Sequence, residues 1–165
     1  WVRADSEVGK GTTFWLFLPA TVAAEPVAAP DAASALPMGH GEKILIIDDE
    51  RAFQEITRAI FTKFGYRVLT ANDGTEAVAL FAQHKNDIDL VLTDMVMPFL
   101  DGPSTINALR RLDPNVRILA ASGMSEHEGQ AEKLTGSELL LKPFTTERLL
   151  TTVDRVLKTR GAVSC

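Results

Sequence analysis

The chain has 165 residues, 45% of them hydrophobic, and a net charge of −5, which suits one domain of ordinary size with a real core plus added sequence. Without a basic cluster, direct nucleic-acid binding is not expected. The single cysteine, Cys165, excludes a disulfide framework and a cysteine-based metal site and fits a reducing, cytoplasmic setting.

The chain opens on Trp1 rather than Met and is expected to be a piece of a longer protein. It carries no signal peptide and no apolar run long enough to span a membrane, so no membrane contact is expected of this fragment. Residues 1–19, WVRADSEVGKGTTFWLFLP, read as a β-hairpin. A short strand precedes the turn-rich Ser6 to Gly11, an aromatic strand runs over Thr12 to Leu18, and Pro19 stops it. Two strands alone are marginal in water, so the hairpin is expected to belong to a sheet whose other strands lie upstream. Residues 20–40 hold eight Ala and three Pro among 21 positions and read as a linker. Pro26, Pro30 and Pro37 argue against an alanine helix there.

From about residue 41 the pattern alternates. Lys43 to Ile47 is a continuous apolar run of the kind buried on both faces. A helix follows over Glu50 to Phe64, with Phe53, Ile56, Ile60 and Phe64 on one apolar stripe and Gly65 as its stop. Tyr66 to Thr70 is a strand, and Thr75 to Gln83 a helix with Ala77, Leu80 and Phe81 inward. Leu90 to Thr93 is a strand, and Ser104 to Leu112 a helix after the Asp101-Gly102 turn and Pro103. Val116 to Ala120 is a strand, Ser125 to Leu134 a polar helix, Leu139 to Leu141 a short strand, and Thr145 to Lys158 a final amphipathic helix. Five βα repeats with short connections predict a parallel sheet with helices on both faces, in the order 2-1-3-4-5.

In such sheets the crevice lies beyond the carboxyl ends of the strands, where the order reverses between the first and third. Those two strands end in Asp48-Asp49 and in Asp94. Three converging carboxylates raise one another's pKa unless a cation intervenes, and a hard oxygen-seeking ion such as Mg²⁺ needs only a few of them. The fourth strand runs into Ser122-Gly123 and the fifth into Lys142-Pro143. A carboxylate nucleophile, a metal, a hydroxyl and an ammonium together make a phosphoryl-acceptor site.

The runs IIDDE (46–50), LTDMVMPFLDG (92–102), ASG (121–123) and KPF (142–144), in this order and each at a strand end, resemble the receiver domain of two-component response regulators over residues 41–161. The resemblance implies a flavodoxin-like fold like that of CheY, and Asp94 as the phosphorylated residue. It makes Asp49 a direct metal ligand, Asp48 a ligand acting mostly through water, and the Val96 backbone carbonyl a further ligand. Ser122 is implied to bond a phosphoryl oxygen and Lys142 to pair with it. Mg²⁺ is the implied ion, with Mn²⁺ as its substitute. The implied donor is a phosphohistidine on a histidine kinase or histidine phosphotransfer domain, and a homodimer is a further implied assembly. Enzymatic activity of the fragment would be limited to its own phosphorylation and dephosphorylation.

SEVGKGTTFWLFLP resembles the last glycine box and final strand of a histidine kinase ATP-binding domain. Kinase tail, linker and receiver in that order resemble the C-terminal end of a hybrid sensor histidine kinase, whose membrane anchor would lie upstream. No DNA-binding output domain is expected after Gly161, which ranks phosphoryl relay or feedback on the kinase above transcriptional control. Two features depart from the family pattern. Leu139 stands where many receivers carry Phe or Tyr, and Ser122 stands for the more frequent Thr. Val96 and Met124 cannot orient an attacking water by hydrogen bonds, so slow hydrolysis of the phosphoaspartate is expected.

Rival readings are a haloacid dehalogenase-like phosphohydrolase, an FMN binder and a docking-only receiver. The first fits poorly with Asp48-Asp49-Glu50 after the first strand, and the second with acidic residues where a phosphate loop would lie. The intact acidic set with Ser122 and Lys142 argues against the third. His40, His84 and His127 are scattered and read as surface residues, and Phe99 and Leu100 as loop packing.

Overall fold

A computed structural model describes residues 1–18, 36–123 and 137–159. The chain divides into two compact units, Trp1–Ser34 and Ala35–Cys165. In the first, β1 (Val2–Glu7) and β2 (Gly11–Leu16) pair antiparallel, with Val2 opposite Leu16 and Ala4 opposite Phe14. Trp1 stacks on Phe17 with centroids 3.9 Å apart, while Phe14, Trp15 and Leu16 stay exposed.

The second unit holds a parallel sheet of five strands: β3 (Lys43–Ile47), β4 (Arg67–Ala71), β5 (Leu90–Asp94), β6 (Ile118–Ser122) and β7 (Glu138–Leu141). Their spatial order is β4-β3-β5-β6-β7, which is 2-1-3-4-5 within the sheet, as the repeat pattern predicts. Four helices are described: α1 (Arg51–Lys63), α2 (Gly74–His84), α3 (Gly102–Leu112) and α4 (Thr146–Lys158). The helix expected over 125–134 lies outside the described residues.

The three inner strands are mostly apolar because both their faces are covered. Ile44, Ile46, Leu92 and Leu140 face a cluster with Phe61, Leu149 and Val153 of α1 and α4. Leu45, Ile47, Val91 and Ala120 face the opposite cluster, with Ala77, Phe81, Ile106 and Leu109 of α2 and α3. Leu139 is half-buried and packs against this second cluster.

Two element starts lie two residues from expectation for local reasons. β6 starts two residues late, since the Val116 N–H bonds the Asp113 carbonyl and prolongs the turn. α3 starts at Gly102, not Ser104, because Asp101 serves as its N-cap, accepting from the Ser104 N–H at 2.9 Å, and Pro103 sits within the first turn.

The apolar stripe of α1 coincides only in part with its buried face: Ile60 and Phe64 pack against the core half-buried. Gln54, Thr57 and Phe61 turn inward, whereas Ile56 is 63% exposed. Gln54 belongs inside because its amide Nε2 donates to the backbone carbonyls of Asp48 and Ala71, a buried donor that finds its partners at the ends of β3 and β4.

Residues 36–41, all but the last expected within the linker, form a strap on the second unit. Leu36 packs against the core, the Gly39 N–H bonds the Phe64 carbonyl at 2.7 Å, and the Gly41 N–H bonds the Gly65 carbonyl at 3.1 Å. Gly65, with φ +87°, adopts the left-handed turn that closes α1 and lets the strap approach.

Gly102 positions the site. A Cβ there would lie 2.5 Å from the Asp94 backbone oxygen and 2.6 Å from Met95 Cα, with backbone on both sides and nothing flexible to yield. Gly102→Ala is expected to destabilise the protein by about 1–3 kcal/mol in a denaturant titration, as overpacking does; an unchanged midpoint would show that the loop relaxes freely.

Candidate phosphoryl-acceptor site

The site forms where β3, β5 and β7 end. Asp48 follows β3 and is buried; its backbone N–H bonds the Ala71 carbonyl and its carboxylate accepts from the Glu50 N–H at 2.9 Å. Asp49 is exposed beside it. Asp94 ends β5, half-buried, and accepts from the Val96 N–H at 3.3 Å. One oxygen from each of Asp48, Asp49 and Asp94 lies within 4.8 Å of the others.

Lys142 follows β7, where the Lys142-Pro143 peptide is cis. Its Nζ donates to Asp48 Oδ2 at 2.8 Å and to Asp94 Oδ2 at 3.0 Å. The ammonium thus spans both strand tips flanking the reversal of strand order. Its own N–H is fixed by the Ser122 carbonyl at 2.7 Å. The Ser122 hydroxyl, at the end of β6, donates to the Gly123 carbonyl at 3.2 Å.

Burial pushes the Asp48 carboxyl above its ordinary pKa, and the nearby Asp94 charge adds to this; the hydrogen bonds from Lys142 and the Glu50 N–H only partly offset them. For Lys142 burial alone would favour the neutral amine, but the bonds to Asp48 and Asp94 outweigh it and hold the ammonium above its ordinary range. The result is a cluster with more acid than base, of hard oxygen donors, which fits a divalent cation better than it fits emptiness.

The structure brings together four of the residues singled out from sequence: Asp48, Asp49, Asp94 and Lys142. Ser122 ends the neighbouring strand β6, and Val96 lies two residues beyond Asp94 with its side chain 77% exposed.

Phe99 is not loop packing. It is 96% exposed, and its backbone has φ +67°. The Leu100 N–H bonds the Pro98 carbonyl at 2.9 Å across it, closing a three-residue turn. A positive φ is costly for a bulky residue, and such strain concentrates at functional loops.

Sequence reasoning also missed Phe53. Its ring centroid lies 4.0 Å from Lys142 Nζ, and the ring meets Phe144 edge-on at 5.9 Å. The available signal was its place in the first turn of α1, the end nearest the strand tips.

Residues 44–154 match the response regulator receiver domain family. The chain is 33% identical over 167 residues to the sensor kinase CckA of Brucella abortus, covering 95% of this chain and 18% of that protein. It is 32% identical to the chemotaxis protein CheY of Thermotoga maritima, covering 72% of this chain and 99% of that one. Among solved structures, a CheX-CheY complex with BeF3 and magnesium from Borrelia burgdorferi superposes with a TM-score of 0.65 at 30% identity, over 69% of this chain and 87% of that one. The chain spans less than a fifth of the Brucella kinase it matches.

Proposed function

This chain belongs to the response regulator receiver family of two-component signalling, and on that premise we propose that Asp94 accepts a phosphoryl group from a phosphohistidine donor in a Mg²⁺-dependent reaction. One observation carries the reading: the Lys142 ammonium bonds Asp48 and Asp94 at once, at the point where the strand order reverses. An Asp94 carboxylate oxygen attacks phosphorus, the P–N bond to the imidazole breaks, and the ring leaves as neutral histidine once protonated. An acyl phosphate remains on Asp94.

Positioning and charge neutralisation account for most of the catalysis such a transfer needs. Asp48, Asp49, Asp94 and the Val96 carbonyl would hold the magnesium ion, which when bound offsets the negative charge of the phosphoryl oxygens. The exposed Asp49 and the Lys142-paired Asp48 divide this work, one open to solvent and one fixed from behind. Lys142 moves from Asp94 Oδ2 to the arriving phosphoryl oxygen, and the Ser122 hydroxyl turns from Gly123 to meet another.

The parent protein is proposed to be a hybrid histidine kinase. Support comes from the Brucella sensor kinase, whose match spans the hairpin as well as the receiver. The phosphorylated domain then signals by conformational change or passes the group to a phosphotransfer protein. Half-buried Leu139 replaces the usual aromatic and makes that change differ from one driven by a swinging ring.

Incubation with acetyl phosphate and Mg²⁺, read by intact mass, tests the acceptor reading: one phosphoryl group is expected, and none would refute it. The label is expected to persist, because the exposed Val96 side chain offers no polar group to guide water to the acyl phosphate. A half-life of seconds in the absence of a partner would show that water reaches it unaided.

A further inference from the structure

Lys142 Nζ has three N–H bonds, of which two point to Asp48 and Asp94. The ammonium also lies over the Phe53 ring, 4.0 Å from its centroid. The side chain of Lys142 is 22% exposed, so this contact is made where water is largely excluded and the attraction between a cation and a ring face is strongest. Phe144 packs against the same ring in a T-shaped pair, with centroids 5.9 Å apart. Phe53, Phe144 and Lys142 together line a groove of about 530 Å³ whose other walls include Ile56, Ile60 and Leu149.

We infer that Phe53 is a positioning residue for phosphoryl transfer: its ring face holds the Lys142 ammonium between the two strand tips and ties that position to the walls of the apolar groove. The inference rests on the acceptor reading of Asp94. A lysine side chain is a flexible four-carbon stem, and its preferred place is water. Without the ring, the groove offers the ammonium an open route outward. With the ring, outward movement costs the cation–π contact, and the ammonium stays where phosphoryl oxygens arrive. An aliphatic side chain at 53 keeps an apolar wall there but supplies no quadrupole, so packing and positioning separate experimentally.

The test compares wild type with Phe53→Leu and Phe53→Tyr, each labelled by acetyl phosphate with Mg²⁺ and followed by intact mass, with Tm recorded for each. Phe53→Leu is expected to slow labelling by roughly five- to thirtyfold, the range a desolvated cation–π contact spans. Phe53→Tyr, which keeps the ring face, is expected to restore the rate. In the NMR spectrum the Lys142 ε-methylene protons are expected upfield in wild type and Phe53→Tyr, from the ring current, and at ordinary positions in Phe53→Leu. Wild-type labelling with an undiminished rate in Phe53→Leu overturns the inference and leaves the acceptor reading standing. Equal slowing in Leu and Tyr variants also overturns it, since packing alone would then explain the loss. Absence of label in wild type removes the acceptor reading and the inference together.

Discussion

Asp94→Asn takes up no phosphoryl group from acetyl phosphate under conditions where the wild type gains one. The amide is isosteric and can still accept from the Val96 N–H and from Lys142, so the loop and the strand tip keep their geometry. What is lost is the nucleophilic oxygen, and the expected effect is complete loss rather than a fractional one. Intact mass with peptide mapping checks it. Label that persists on Asp48, Asp49 or Glu50 would move the acceptor to a neighbour and overturn the assignment.

Neutralising Asp48 is expected to make the metal-free protein more stable and to deprive it of its response to magnesium. The sign follows from burial. The Asp48 pKa is raised above 3.8 in the folded state, so between the unfolded and folded values the native protein binds more protons than the unfolded chain. Stability therefore falls as pH rises through that window, and at neutral pH the ionised Asp48 weighs against the fold. Asp48→Asn removes that cost, while Lys142 keeps Asp94 and the Phe53 ring.

In wild type, magnesium at a hundred times its dissociation constant is expected to add about 2.7 kcal/mol of stability, and in Asp48→Asn far less. Thermal melts with Mg²⁺ and with chelator measure both arms, and chelator is expected to abolish wild-type labelling as well. A lower metal-free Tm in Asp48→Asn, or an undiminished magnesium gain, would contradict this account.

The strand tips were legible because each apolar run is covered on both faces and ends abruptly in a polar residue. Asp48, Asp94, Ser122 and Lys142 stand out against such runs without any knowledge of side-chain placement. The strand order followed from five short βα repeats.

The inward face of α1 was only partly legible. Hydrophobicity points to Phe53, Ile56, Ile60 and Phe64, of which Ile60 and Phe64 pack against the core, but the buried positions are Gln54, Thr57 and Phe61, Gln54 because it bonds carbonyls at the ends of β3 and β4. The same rotation explains why the Phe53–Lys142 contact was missed: it joins residues far apart in the chain and exists only once that helix face is known. Phe99 was misread because an aromatic in a loop is ordinarily packed, and nothing local announces a positive φ.

The strap at residues 36–41 enters the sheet at the starts of β3 and β4, the pole opposite the carboxylates. The point at which the chain joins this unit therefore lies at the pole away from Asp94. A donor in the same chain would act at an effective concentration set by the length and stiffness of the connecting segment, in competition with separate donors at their own concentrations. Shortening that segment would shift the balance between self-transfer and exchange with free partners without altering a single residue of the site.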